Sequence, residues 1–386
     1  MSAAQWRKAM NGRGAPPART VPAPPPRLVD AAPDPYPHSD APRWLKFLWR
    51  TLSPRHVFVA LFVLLFPVVA TPFITFQIGA QSLALGLIAL SLTFLGGYGG
   101  MVSLAQMTVA GIAGYTLAIL GTSGTALSLG WPWWVVLPFA YAIAVASAVL
   151  IGWLSARTEG IYTIMITLAM GVAFYYLALQ NYDIFNGFQG FQRIAPPTVL
   201  GIDWRAPLPF YFLVLTLALA GYFLVKHVIR TPFGIALQGI RDNPRRMNAL
   251  GYSVVTHRVA AHALAGVIAA TGGVLMVWYN GLITPGSVST SWLINILVIA
   301  VLGGMKHPIG PFLGAIAFVL LQTFAIDLID RERFNLVIGG VFLAIVLCSP
   351  DGLLGLWSRV KAWLGSGKAS SPMRSTHPDT NRRRQP

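Results

Sequence analysis

Residues 78–121 read IGAQSLALGLIALSLTFLGGYGGMVSLAQMTVAGIAGYTLAILG, with no Asp, Glu, Lys or Arg among them. Roughly 20 apolar residues in helical form cross a hydrocarbon core of about 30 Å. The stretch therefore holds two crossings, 78–97 and 101–121, joined only by Gly97-Tyr98-Gly99-Gly100. Lipid offers backbone amides no water, so such segments must be helices. Working outward, the same reading gives spans at 57–76, 131–154, 160–180, 208–228, 257–279, 289–305, 308–327 and 334–349. The expectation is an all-α polytopic membrane protein with about ten transmembrane helices. The glycine-rich junctions at 97–100 and at Gly303-Gly304-Met305-Lys306-His307-Pro308 also fit broken or re-entrant helices. Trp131, Trp133 and Trp134 stand where an aromatic belt would stand.

Composition agrees. Hydrophobic residues make up 55% of the 386 and charged residues 10%, against about 25% charged in a soluble domain. Mean hydropathy is +0.62. The net charge of +16 does not argue for nucleic acid, because the cations sit in two tails and one loop. That distribution is the positive-inside pattern. With a cytoplasmic N-terminus and alternating crossings, the inner segments hold 24 Lys and Arg, and the outer loops hold four: Arg193, Arg205, Arg331 and Arg333. Both termini then lie in the cytoplasm. The single cysteine, Cys348, excludes an internal disulfide.

The start, up to Arg55, lacks the apolar core of a cleavable signal. Residues 1–43 are rich in Pro and Arg and read as a disordered cytoplasmic tail. Residues 44–56 mix Trp44, Phe47 and Trp49 with Lys46 and Arg50, which suits either a surface-lying helix or a lead into the first span. The membrane-spanning body runs over 57–349, and 350–386 form a second basic tail.

The largest inner loop, 229–257, carries the most chemistry. Ile235, Leu237, Ile240, Met247 and Leu250 predict one or two short amphipathic helices with basic flanks. Asp242 or Asn243 can cap a helix that continues through Pro244, and Gly251 suits a C-terminal cap. Held between two spans, such a helix is a lever that an engine outside the membrane can push. The competing reading is a solvated connection whose cations only set topology.

The pattern from Arg230-Thr231 through Ile240-Arg241-Asp242-Asn243, Arg246 and Ala249-Leu250-Gly251-Tyr252 resembles the cytoplasmic loop of branched-chain amino-acid ABC transporter permeases. Gly86 to Tyr115, Gly160 to Leu179 and Val298 to Gly314 are similar to other segments of that family, the second to its LivM-type subunit. The resemblance implies an ABC importer permease fold at the bacterial inner membrane. It implies a second, LivH-type permease, two cytoplasmic ATPases that hold the ATP and Mg, and a periplasmic or extracellular solute-binding protein as partners. It places Arg241, Asp242, Asn243, Pro244, Arg245, Arg246, Leu250 and Gly251 at the ATPase contact. Arg246 and Met247 depart from the commoner family pattern, where small or acidic residues stand.

No nucleotide-binding loop occurs in the chain itself. Gly365-Ser366-Gly367-Lys368 lacks the first glycine, and Ala369 replaces the hydroxyl residue that would hold Mg²⁺. Ionisable residues are rare within the spans, which argues against an ion-coupled carrier or channel. Glu159 and Asp327 stand at span ends, and His262 reads as a packed histidine or, less simply, a proton relay. A membrane-embedded enzyme would need an ionisable cluster at one membrane face, and no catalytic set or metal-ligand cluster is apparent. Polar uncharged residues inside spans serve either interhelical bonding or a solute path. Ser103, Gln106, Thr167 and Asn295 are the path candidates, with Gln81, Thr108, Thr163 and Gln322 behind them. Branched-chain or other hydrophobic amino acids are the expected solutes, with urea, short amides or aromatic acids as alternatives.

Overall fold

The computed structural model describes residues 71–328, except 126, 199, 200 and 202, together with positions 67, 339, 340, 343, 352, 353 and 355. Apart from those positions, both expected tails, the segment 44–56, most of the first span and the span at 334–349 lie outside the described residues.

The first described helix, α1 (Pro72–Tyr98), starts where Thr71 accepts the Ile74 N–H and Pro72 occupies the first turn. It runs straight through Gln77, so the break expected between spans 76 and 78 is not there. Thr71 is extended and α1 begins at Pro72, whose missing N–H costs nothing at a helix start. Two π-helical stretches, Thr75–Ala80 and Phe94–Tyr98, bracket its middle. The next span also differs from expectation: residues 101–105 are not helical, and α2 spans only Gln106–Leu120. Gly100 has φ of +68°, a conformation that ends α1 and favours glycine.

Then follow α3 (Trp133–Ser155), α4 (Ile161–Gln180) and α5 (Pro207–Val228). Two short helices, α6 (Pro232–Asp242) and α7 (Pro244–Ala249), lead into α8 (Val254–Asn280). The described helices end with α9 (Thr290–Gly303) and α10 (Gly310–Leu328). Among them α1, α3, α4, α5 and α8 are long and apolar enough to cross a membrane.

The core pair is α1 and α8, which run antiparallel and are the most buried of these five. Tyr279, near the end of α8, donates to Gln77 Oε1 near the start of α1 at 2.9 Å. Absent side chains set how closely the helices approach. A Cβ on Gly273 would strike the Ala110 carbonyl of α2, and one on Gly314 would strike the Ile299 carbonyl of α9. Such close crossings let backbone surfaces touch where lipid supplies no hydrophobic drive. The outer helices α3, α4 and α5 instead expose large apolar side chains, among them Trp153, Met165 and Phe223.

Charge separates the two ends of the bundle. At one end Arg241 Nη1 donates to Gly97 O (2.7 Å), Tyr98 donates to Lys306 O (3.2 Å) and Arg258 donates to Ala156 O (3.0 Å). These contacts bring the segments around 97–98, 156, 241–258 and 306 together on a single face. The opposite end carries a two-stranded antiparallel pair, β1 (Phe191–Gln192) and β2 (Leu282–Ile283). It also carries the exposed Trp131, Trp133 and Trp134.

Candidate functional site

The basic loop folds as an elbow, α6 followed by α7. Thr231 begins α6 by accepting the Gly234 N–H (3.3 Å), with Pro232 in the first turn. A side chain at Gly234 would collide with the Val228 carbonyl, so α6 doubles back directly on the end of α5. Leu237 and Ile240 are fully buried and anchor the elbow to the bundle. Asn243, not Asp242, makes the second turn: its Oδ1 accepts the Arg246 N–H at 2.9 Å and Pro244 starts α7. Gly251 ends it with φ of +89°. Met247, one of the positions that depart from the family pattern, packs its sulfur over Gly239, where a Cβ would come within 2.9 Å.

The eight residues expected at the ATPase contact divide by what they touch. Arg241 ties the elbow to α1 through Gly97 O, and its Nη2 pairs with Asp242 at 2.9 Å. Its stem lies against Gly100, where a Cβ would come within 2.5 Å of it. Asn243, Pro244 and Gly251 shape the backbone. Arg245 and Arg246 are exposed and form no ion pair among the described residues. Beside them Leu250 is 67% exposed, Ile235 62% and Tyr252 43%. The elbow therefore presents two free cations flanked by apolar side chains, held on a buried base.

The path candidates meet in the interior. Ser91 donates to Gln106 Oε1 (3.0 Å), and Gln106 Nε2 donates to Ser103 Oγ (3.5 Å). Leu104 N–H donates to Thr167 Oγ1 (3.1 Å), which returns its own proton to Thr163 O (3.0 Å). The seam thus joins α1, the non-helical 101–105 segment, α2 and α4. Three of the four chosen residues, Ser103, Gln106 and Thr167, are in it, and all three are buried. They do not line an open channel here. Asn295, half-buried on α9, makes no side-chain hydrogen bond among the described residues. Ser91 was missed from sequence; a lone hydroxyl within Leu90-Ser91-Leu92 was the available signal.

His262 packs between α3 and α8, with its ring against Gly152 and its Nδ1 donating to Arg258 O at 2.9 Å. The packed reading fits this geometry. Arg258 itself caps the end of α3 and reaches Glu159 at 3.4 Å.

Together these features define a class: a multi-pass helical membrane protein with a built, cation-bearing elbow at one face. The chain belongs to the family described as "Branched-chain amino acid transport system / permease component", whose model matches residues 74–346. It is 27% identical to the high-affinity branched-chain amino acid transport system permease protein LivM of Escherichia coli K12, over 83% of this chain and 79% of that protein. It is 26% identical to the probable branched-chain amino acid transport permease protein LivH of Methanocaldococcus jannaschii, over 40% and 50% respectively. A nucleoside ABC transporter permease protein, NupC of Lactococcus lactis, is 28% identical over 32% of this chain and 37% of its own. No solved structure matches the chain. The protein is thus a membrane permease of the ABC-transport class.

Proposed function

We propose that this chain is one of two membrane subunits of an ATP-driven importer for branched-chain or related hydrophobic amino acids. The ATP is hydrolysed by cytoplasmic partner subunits, and an extracytoplasmic binding protein delivers the solute. The face carrying the elbow is the cytoplasmic one, as its share of cations favours. The observation that carries this reading is the elbow itself, with Arg245, Arg246 and Leu250 free on a base fixed by Leu237, Ile240 and Arg241. Two unpaired cations beside exposed leucine fit an acidic, partly apolar groove on a soluble partner. The likeness to LivM over most of both chains supports the solute class. Movement of the elbow would tilt α5 and α8 and pull on the Gly97 turn through Arg241.

The test is co-purification of the full chain from its native membrane, with and without Arg245→Glu and Arg246→Glu together. The expected result is that the unaltered chain carries an ATPase subunit and the charge-reversed chain does not. Equal ATPase recovery from both would refute the docking assignment.

A further inference from the structure

On the face opposite the elbow, a cavity of about 350 Å³ opens between the start of α1, the start of α5 and the end of α8. This lies within the range of small-molecule sites. Its walls are aromatic: Phe76 and Tyr279 stack at 4.8 Å between centroids, and Phe73 stands exposed at the mouth. Its polar side chains are Arg205, Gln77 and Tyr279. Arg205 lines the cavity, and its Nη2 rests against Gly281, 3.0 Å from where a Cβ would sit. The exposed guanidinium thus stands beside the C-terminal turn of α8, where the dipole sign favours a cation. Yet that guanidinium makes no ion pair or hydrogen bond among the described residues. The nearest acid in sequence, Asp203, spends its Oδ1 on the backbone N–H of Arg205 at 2.9 Å. Gln77 uses its Oε1 to accept from Tyr279, and its NH₂ makes no hydrogen bond among the described residues.

We infer that this vestibule is a site for the carboxylate of a small monocarboxylic acid with an apolar body. Arg205 and the Gln77 NH₂ face the carboxylate, and Phe76 and Tyr279 pack the body. A guanidinium recognises a carboxylate by paired, charge-assisted hydrogen bonds. No lining side chain among the described residues is acidic, so an α-ammonium group finds no partner carboxylate there and turns to the open mouth beside Phe73. The site therefore selects for the acid group and the side chain and ignores the amine. The inference deepens the importer reading and takes the solute class from it.

The test uses the full chain in lipid nanodiscs and direct titration with L-leucine, 4-methylpentanoate, which lacks the amine, and leucinol, which lacks the carboxylate. Leucine and 4-methylpentanoate are expected to saturate with affinities within about fivefold of each other, and leucinol to bind at least tenfold more weakly. Arg205→Gln is expected to weaken leucine at least tenfold, and Arg193→Gln, a cation on the same face, less than twofold. The thermal melt of Arg205→Gln should match that of the unaltered chain, which excludes misfolding as the cause. The inference is overturned if leucinol matches leucine, if Arg205→Gln binds as the unaltered chain does, or if no acid saturates. It is also overturned if dioctanoyl phosphatidate binds at this site and leucine does not, since that makes it a lipid site. ATPase recovery with Arg205→Gln separates the two ideas. If the ATPase is retained while leucine binding is unchanged, only the vestibule fails. A chain that never carries an ATPase fails the importer reading whatever the vestibule binds.

Discussion

The elbow of α6 and α7 and the polar seam between α1, α2 and α4 both depend on polar side chains in a mostly apolar chain, and they dispose of them in opposite ways. In the seam, Ser91, Gln106 and Ser103 bond to one another and Thr167 bonds the backbone of Leu104 and Thr163, so all four are spent on hydrogen bonds within the protein. In the elbow, Arg241 and Asn243 are spent on shape, and Arg245 and Arg246 are left to solvent. Buried polar groups must be paired, because an unmet donor costs about 1–3 kcal/mol. Exposed cations need no partner and stay available. The seam is therefore a place where the fold is closed, and the elbow a place where it can be gripped.

Charge reversal at Arg245 and Arg246 is expected to produce the largest effect. Turning two attractive contacts into repulsive ones at a partner surface costs several kcal/mol, or at least about 30-fold in affinity. The melting temperature of the isolated chain should stay the same, since neither side chain is bonded among the described residues. Binding to the isolated ATPase subunit, measured alongside a thermal melt, checks both halves. A large drop in the melt would mean that the elbow is also structural, and the contrast with the seam would collapse.

Thr167→Val makes the opposite demand. It keeps the side-chain shape and leaves the Leu104 N–H without its acceptor. The chain should lose about 1–3 kcal/mol of stability while ATPase binding is unchanged. Thr167→Ser should restore most of it. An unchanged melt in both variants would show that the seam is solvated, as an open path would be.

Much of this arrangement could be read in advance, and the exceptions have a common cause. The ends of α3, α4, α5 and α8 fall within a few residues of the hydropathy boundaries, because each lies between polar or turn-forming segments. Asn243, Pro244 and Gly251 announced their turns because caps are local chemistry. The non-helical stretch before Gln106 was not visible in the same way. It is held by Arg241, more than a hundred residues away, pressing on Gly100, and by Thr167 accepting from Leu104. Hydropathy sees 101–105 as apolar and extends the helix through it. Likewise the pairing of Ser91 with Gln106 is tertiary, and only its residue types could be read from the chain. Asn295 stands out in the sequence by polarity alone, and no hydrogen bond among the described residues joins it to the others.

Arg241 stands between the two regions and sharpens the comparison. Arg241→Met keeps the stem over Gly100 and removes the bond to Gly97 O. A charged but partly exposed bond of this kind contributes about 1–2 kcal/mol. The expected outcome is a modest loss on both readouts: a lower melt, and weaker ATPase binding because the elbow loses its fixed angle. A variant that lowered the melt alone would make Arg241 purely structural.

The smallest effect is expected at Leu250. Its side chain is 67% exposed, so Leu250→Ala should leave the melt within about 0.5 kcal/mol. Burial of that leucine in a partner groove would contribute about 1 kcal/mol, or roughly fivefold in ATPase affinity. Because the change is apolar, its effect should persist at high salt, where the contribution of Arg245 and Arg246 is screened. The two variants measured across a salt series thus separate the apolar part of the grip from the charged part. If the Leu250→Ala loss vanished with salt as the charge-reversal loss does, the leucine would lie outside the contact. The partner would then hold the elbow by its cations alone.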